Sequence, residues 1–149
     1  MAQPDRETVY AALFSLLKTA LGTTFNTYDR RFKAVSNIQS ANAPVLLQVQ
    51  ASEKADTKKG LPTVHVYTVH LLLYSFNGGA SEAVPDSQNN ALVTAVEAAL
   101  GPNLATAFQQ LGIPVSSVVV NGQIEYGNMA AQSGMWSAAL VPVEICATY

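Results

Sequence analysis

The sequence has few charged side chains and one cysteine. Only 12% of its 149 residues are Asp, Glu, Lys or Arg, whereas soluble domains typically contain about 25%. This composition suits a protein that covers part of its surface with copies of itself or with partners. The single cysteine, Cys146, excludes an intramolecular disulfide and a cysteine-based zinc cluster. Lys18 interrupts the first apolar segment, so we expect neither a secretory signal nor a membrane span. We expect a soluble protein that is made in the cytoplasm.

Motifs for catalysis and cofactor binding are also missing. The sequence contains no phosphate-binding glycine loop, no G-x-S-x-G motif, and no histidine and carboxylate at metal-binding spacing. Cys146 lies in an apolar segment and is predicted to be a buried structural thiol. We therefore expect no enzymatic activity, no cofactor and no metal. The alternative class is a small ligand-binding or enzymatic α+β domain, with His65 or His70 at the mouth of a pocket.

Charge is unevenly distributed along the chain. Up to residue 59 there are eight Lys and Arg and five acids, a formal charge of +3. From Gly60 onward there are five acids and no basic residue, a formal charge of −5. Two interpretations stay open: a bipolar surface through which subunits pair head to tail, or lysines that simply collect in loops.

The first helix is predicted at residues 4–22. Asp5 is its expected N-cap, Glu7 sits favourably in the first turn, and Gly22 supplies the stop. Apolar residues at helical spacing form the stripe that should face the core, namely Val9, Leu13, Leu16, Leu17, Ala20 and Leu21.

A second helix is predicted at residues 85–102, with Asp86 or Ser87 as its cap. Residues 103–112 are predicted to add a short helical turn. The apolar stripe of the second helix consists of Leu92, Val93, Val96 and Leu100.

Strands are predicted between and after the helices. Residues 44–51 alternate as in a half-buried strand, and residues 52–62 are predicted to be a charged loop. Residues 63–76 would reach about 46 Å as one strand, more than the roughly 38 Å diameter of a compact domain of this size, so the strand must curl, break or project. His65 and His70 are an odd number of residues apart, so they should point to opposite faces and cannot share a metal.

The C-terminal segment allows two arrangements. Asn121-Gly122 is a strong signal for a tight hairpin, but a continuous strand places the apolar side chains of residues 118–126 on one face. We prefer the continuous strand, with Gly122 at a bulge or close approach. The turn is then predicted at residues 127–134. The strand at residues 135–145 returns antiparallel, and Pro142 is expected to place it at an edge or in a bulge.

Together these elements predict one α+β domain over residues 1–149: a mainly antiparallel, curved sheet of four to five strands with two helices packed on one face. Residues 28–33, "YDRRFK", combine three cations with two aromatic rings. Since the chain is acidic overall, sequence-specific nucleic-acid binding is disfavoured. Contact with an acidic protein surface and a merely solvated strand face remain the two interpretations.

Five segments resemble, in order, the tail terminator (tail completion) proteins of long-tailed phages and prophages. They are "ETVYAALFSLLKTA", "TYDRRF", "APVLLQVQ", "KKGLPTVHVYTVHLLLY" and "VNGQIEYGNMAAQSGMWSAALVPVEI". The resemblance spans nearly the whole chain and rests on order and pattern. It implies a subunit of a hexameric ring that caps the tail tube, stops its polymerisation and offers a docking face to the head. Another neck or head-tail joining protein is the alternative within this class.

The resemblance also implies partners and a location. The ring would contact other copies of itself, the tail tube protein and a head connector or stopper protein, with genomic DNA passing through its lumen without sequence recognition. It would be assembled in the host cytoplasm and reside at the tail-neck junction of the virion. The turn at residues 127–134 lacks the acidic residues associated with the family. The positions that match the family's contact regions are Arg30, Arg31, Lys54, Lys58 and Lys59.

Overall fold

The computed structural model of the protein describes residues 5–78, 85–101, 111, 117–132 and 134–148. The predicted helical turn at residues 103–112 therefore lies outside the described residues, apart from Leu111. Within these residues there are two helices, six strands and three short 3₁₀ turns, which are Gly22–Thr24, Val35–Asn37 and Ser40–Asn42. In chain order these are α1 (Arg6–Leu21), β1 (Thr27–Asp29), β2 (Val45–Asp56), β3 (Val64–Gly78), α2 (Pro85–Ala99), β4 (Ser117–Val120), β5 (Glu125–Ala131) and β6 (Gly134–Thr148).

The strands form one sheet in the order β1-β2-β3-β6-β4, and β5 also pairs with β6. The pair β1 and β2 is parallel, and every other pair is antiparallel. The predicted α+β class, with a mainly antiparallel sheet and two helices on one face, is confirmed. The sheet has six strands rather than four or five, because β4 and β5 lie end to end beside β6 and share one position.

Both ends of α1 lie at the capping residues predicted from the sequence. The Asp5 carboxylate accepts a hydrogen bond from the Thr8 amide at 2.7 Å, and Gly22 adopts a φ of +51° after the last turn. The predicted stripe is buried or packed on the core except for Ala20, which is exposed. The predicted cap of α2 was wrong, because the helix already begins at Pro85, a residue whose fixed φ suits the first helical position.

Two buried clusters lie on the two faces of the sheet. The helix-side core joins both helices to side chains such as Leu46, Tyr67 and Val143. The opposite-face core is smaller and lies under the segment of residues 35–43. Its buried members are Val35, Ile38, Val45, Leu47, Tyr74 and Trp136. Residues 45–47 are therefore all buried, so the prediction of a half-buried strand was wrong there: both faces of the sheet are covered at that point.

The charged segment after this strand is not a loop in its first half. β2 continues to Asp56 and pairs with β3 down to Val64. A one-residue bulge at Ala51, between Gln50 and Ser52, interrupts the register. The prediction of a loop at residues 52–62 was wrong for residues 52–56, because an antiparallel apolar neighbour outweighs the weak strand preference of charged residues, and it is confirmed for residues 57–62.

The C-terminal strands correct two further predictions. Residues 127–131 belong to β5, which pairs with β6 as far as Ala131 and Gly134, so the predicted turn at residues 127–134 was wrong for residues 127–131. β6 lies between β3 on one side and the successive strands β4 and β5 on the other, so it is an inner strand and not an edge. Pro142 is tolerated there because the neighbouring strand is interrupted: residues 121–124 lie opposite only Val141 and Pro142.

The predicted continuous path around Gly122 is confirmed. β4 and β5 run in the same direction along β6 rather than pairing with each other as a hairpin. Gly122 has a φ of +127°, and a Cβ at this position would lie 2.9 Å from Pro142 Cγ. The Asn121 amide donates to the Pro142 carbonyl at 3.1 Å, which holds the interrupted strand in place.

Candidate assembly surfaces

The most exposed charged part of the described chain is the tip of the β2-β3 hairpin, residues 54–62, which we call the arm. All nine residues are exposed. Gly60 has a φ of +79°, and the Leu61 amide donates to the Lys58 carbonyl at 3.0 Å, as in a tight turn. The Thr57 and Thr63 hydroxyls lie 3.1 Å apart across its base. The arm is thus a hydrogen-bonded turn whose charged side chains are exposed.

The arm carries three lysines and one acid. Lys58 Nζ lies 3.9 Å from Asp56 Oδ2, with both side chains well exposed, a contact that contributes little in water. Among the described residues, Lys54 and Lys59 have no ion-pair partner. Leu61 adds an apolar side chain that is 63% exposed. These features describe a cationic surface with an apolar contact point.

Arg30 and Arg31, the other predicted contact residues, differ from each other in exposure and in their ion-pair contacts. β1 ends at Asp29, so Arg30 and Arg31 follow the strand rather than lying on it. Arg30 makes two hydrogen bonds to the Glu7 carboxylate at the start of α1, and these hydrogen bonds lower the pKa of Glu7. Arg30 therefore makes an intramolecular contact that joins the segment after β1 to the start of α1. The side chain of Arg31 is 85% exposed, and its Nε lies 3.6 Å from Asp29, whose nearer partner is Lys33 at 2.9 Å.

The structure does not bring the five predicted contact residues into one patch. Arg30 follows β1, which lies beside Val45–Leu47 at the start of β2, whereas Lys54 lies near its end. Six to seven residues of strand separate these levels, or about 20 Å at 3.3 Å per residue. Arg31 and the arm thus form two separate cationic surfaces along one side of the sheet.

Acidic side chains occupy the other side of the sheet. Glu125 is exposed at the start of β5. Glu144 lies on β6 opposite Val119, and accepts a hydrogen bond from Asn121 Nδ2 at 2.7 Å. No basic residue occurs after residue 59. Within the described ranges, the β1-β2 side of the sheet is cationic and the β4-β5 side is anionic.

The two histidines point to opposite faces, as predicted. His65 shares the helix-side parity of Tyr67, and His70 shares the parity of Tyr74 on the other face, with no register shift between them. In the described part of the chain, no group of three or more His, Cys, Asp or Glu is placed to hold a metal. Cys146 is half-buried, whereas a buried structural thiol was predicted.

The sequence did not reveal a polar cluster around His65. Glu53 accepts hydrogen bonds from Arg6 Nε at 2.7 Å and Arg6 Nη2 at 2.9 Å, and lies 3.1 Å from His65 Nδ1. The hydrogen bond from Arg6 is the main cause of a lowered pKa for Glu53, and the contact with His65 adds to it. The bulge at Ala51 turns Glu53 to the helix side, an effect that strict alternation does not predict.

Two cavities lie away from the histidines. The larger, about 600 Å³, is a shallow, mainly apolar depression against α1. The smaller, about 210 Å³, lies between β1 and the segment of residues 33–42 and includes Lys33 and Asn37. Neither histidine lines either cavity. The alternative of a pocket with a histidine at its mouth has no counterpart in these two cavities.

Comparisons with known proteins add no relative. No protein-family model matches the chain, and no curated protein is significantly similar to it. Neither α1 nor α2, the helices of the described residues, is long and apolar enough to cross a membrane.

Proposed function

We propose that this protein is a tail terminator of a long-tailed phage or prophage. In this role it forms a ring, a hexamer by the family resemblance, that caps the tail tube and stops its polymerisation. The ring then offers a docking face to the head connector or stopper protein. The role is structural and non-catalytic, and it places the protein at the tail-neck junction of the virion.

One observation carries this proposal: a single subunit presents a cationic arm on one side of its sheet and anionic side chains on the other. Lys54, Lys58 and Lys59 are exposed near the end of β2, whereas Glu125 lies on β5 across the sheet. Opposite charges on opposite sides favour head-to-tail contacts, and such contacts close into rings when the rotation between subunits permits.

The order of the five resembling segments supports the same proposal. "KKGLPTVHVYTVHLLLY" covers the arm turn and most of β3, and "VNGQIEYGNMAAQSGMWSAALVPVEI" covers β5 and most of β6. Together with "APVLLQVQ", which covers the start of β2, the resembling segments therefore include parts of the three inner strands β2, β3 and β6 and parts of both charged sides. A protein that only shared helix composition would match α1 without matching these strands.

Gene disruption in the encoding phage or prophage tests the proposal. Loss of a tail terminator should yield overlong tails that do not join heads, as seen by negative-stain electron microscopy. Complementation with the intact gene is the control and should restore tails of uniform length joined to heads. Tails of normal length without heads would contradict the terminator role and indicate another neck protein.

Purified protein mixed with tail tubes provides a second test. Imaging of this mixture should show a ring at one end of each tube, and labelled protein should mark that end only. The tubes are included as the template on which the ring is expected to form. Single subunits that never bind a tube end would contradict the proposal.

A further inference from the structure

The sequence contains two Asn-Gly pairs, Asn77-Gly78 and Asn121-Gly122. Asparagine is a chemically labile residue in proteins. The backbone nitrogen of the following residue can attack its side-chain carbonyl carbon, and glycine hinders this attack least because it has no Cβ. The two pairs have the same local chemistry, so a difference in their reactivity must come from the fold.

The pair Asn77-Gly78 is held in the sheet. Both residues belong to β3, and Gly78 pairs with Met135 of β6. Asn77 is half-buried, and its Nδ2 donates a hydrogen bond to Ser137 Oγ at 2.6 Å. Attack by the Gly78 nitrogen requires Asn77 to leave this contact and the end of β3 to open. Such local opening of a paired strand costs free energy and is infrequent.

The pair Asn121-Gly122 lies in the interruption between β4 and β5. Residues 121–124 belong to neither strand, and Asn121 and Gly122 are both exposed. The Asn121 amide donates to the Pro142 carbonyl, but the Gly122 amide has no backbone acceptor among the described residues. The nitrogen that must attack is therefore not engaged in the sheet, and water has access to both residues.

Packing against Pro142 keeps a glycine at position 122. Gly122 has a φ of +127°, and a Cβ there would lie 2.9 Å from Pro142 Cγ. A residue with a side chain is strained in this backbone conformation. The fold therefore requires, directly after Asn121, the residue that leaves the attack on the Asn121 side chain least hindered.

Glu144 is the hydrogen-bond partner of the Asn121 side chain. Asn121 Nδ2 donates to Glu144 Oε2 at 2.7 Å. Because Asn121 is exposed, water competes for this hydrogen bond, so its net contribution is modest and the side chain can leave it. A carboxylate in place of the Asn121 amide could not donate this hydrogen bond, and it would be repelled by Glu144.

We propose that Asn121 is a site of spontaneous deamidation and that the sheet protects Asn77 from the same reaction. The Gly122 nitrogen loses its proton and bonds to the Asn121 side-chain carbonyl carbon. The carbon-nitrogen bond of the side-chain amide then breaks, and ammonia leaves with that proton. Water opens the resulting succinimide ring at one of its two carbonyls, which gives aspartate or isoaspartate. The reaction consumes one water and releases one ammonia, without oxidation or reduction.

The product changes the anionic side of the sheet. It adds one negative charge to the five acids that follow Gly60, and it removes the hydrogen bond that ties Asn121 to Glu144 of β6. Isoaspartate also lengthens the main chain between β4 and β5, where residues 121–124 make no ladder pair. The interruption is therefore loosened while β4 and β5 keep their own pairing with β6. This inference concerns the single chain and does not rest on the proposed ring.

Peptide mapping by mass spectrometry tests the site. The folded protein is incubated at neutral and at mildly alkaline pH, and conversion of Asn121 and Asn77 to the acid is followed with time. Asn121 should convert roughly tenfold faster than Asn77, because Asn77 reacts only after local opening. Both rates should rise with pH, since the attacking nitrogen must lose its proton. Protein unfolded in guanidinium chloride is the control, in which the two pairs should convert at similar rates.

Variants test the role of Glu144. Asn121→Gln is the matched control for conversion, because glutamine must form a six-membered ring and should stay unconverted. Asn121→Asp mimics the product and should lower the thermal midpoint of unfolding, since two carboxylates then lie side by side. Adding Glu144→Gln to Asn121→Asp restores an amide-carboxylate hydrogen bond with the roles exchanged, and should recover most of the loss.

Three results would overturn the inference. The first is an unconverted Asn121 in the folded protein, under conditions in which the unfolded chain converts. The second is equal conversion of Asn77 and Asn121 in the folded protein, which would show that the sheet gives no protection. The third is an Asn121→Asp variant that unfolds like wild type, which would show that the contact with Glu144 is not lost. All three are measured without tail tubes, so a failure of the terminator role would leave them unchanged.

Discussion

The two ends of the sheet are covered to different extents. Near the end of β3 and the start of β6, each face of the sheet has a buried side chain: Ser75 is buried against Asn89 of α2, and Trp136 is 0% exposed beneath the segment that carries Val35 and Ile38. Where β3 begins and β6 ends, the helix side is buried, but Val66 and Cys146 on the other face are only half-buried. The first end therefore contributes more buried surface to the fold, and the second end leaves one face of the sheet partly uncovered.

The largest effect on folding is expected at the first end. Trp136→Ala removes the largest buried side chain, whose ring centroid lies 5.1 Å from that of Phe76. The free energy of unfolding should fall by about 3–5 kcal/mol, measured by chemical denaturation. Trp136→Phe is the control and should lose less than half as much. A loss below about 1 kcal/mol for the alanine variant would contradict the two-sided burial of this end.

Gly122 lies between the two ends, at the interruption beside Pro142. Gly122→Ala should destabilise the fold by about 1–3 kcal/mol, because a side chain is strained at a φ of +127° and its Cβ would lie 2.9 Å from Pro142 Cγ. Gly127→Ala is the matched control, since a Cβ there meets no atom within 4 Å. Equal thermal shifts for the two variants would show that the close approach has no cost.

A smaller effect is expected for the Arg6-Glu53-His65 cluster, which fastens α1 to the second end. Glu53→Gln should cost about 0.5–1 kcal/mol at pH 7, the range of partly exposed ion pairs. The pKa of Glu53 is lowered in the folded state, so its contribution is complete above the unfolded carboxyl pKa of about 4.3 and is lost as pH falls through the lower folded value.

Denaturation at several pH values checks this prediction. The difference in unfolding free energy between wild type and Glu53→Gln should be constant from pH 7 to about pH 5 and shrink below about pH 4. Glu97→Gln, which neutralises an exposed carboxylate on α2, is the control for the loss of one surface charge. A difference that grows toward low pH would contradict the lowered pKa.

The sequence predicted regular elements well where one local signal decided them. Asp5 and Gly22 bound α1 as expected, and the phase of Val118 and Val120 correctly favoured one interrupted strand over a hairpin. Features that depend on pairing were missed. The strand character of residues 52–56 comes from their neighbour β3, and the contact between Glu53 and His65 comes from a bulge that no local residue type specifies.

The predicted contact residues show the same difference between features set by local sequence and features set by tertiary packing. Lys54, Lys58 and Lys59 are exposed near the hairpin tip as a charged connection suggests. Arg30 looked equivalent to Arg31 in the sequence, yet Glu7 from α1 engages it. The packing of α1 near the end of β1 is a tertiary event, so spacing along the chain could not distinguish the two arginines.

The smallest effect on folding, and the sharpest contrast between the two ends, is expected for the arm. Lys58→Glu with Lys59→Glu should change the unfolding free energy by less than about 0.5 kcal/mol, because both side chains are exposed and Lys58 has only a 3.9 Å contact with Asp56. Under the proposed terminator role, the same variant should fail to restore uniform tail length or head joining after gene disruption, since the arm would then repel acidic neighbours. Lys58→Arg with Lys59→Arg keeps the charge and should restore both. If the glutamate variant complements as well as wild type, the arm is not a contact surface. If the glutamate variant instead loses much of its folding stability, the arm contributes to the stability of the fold.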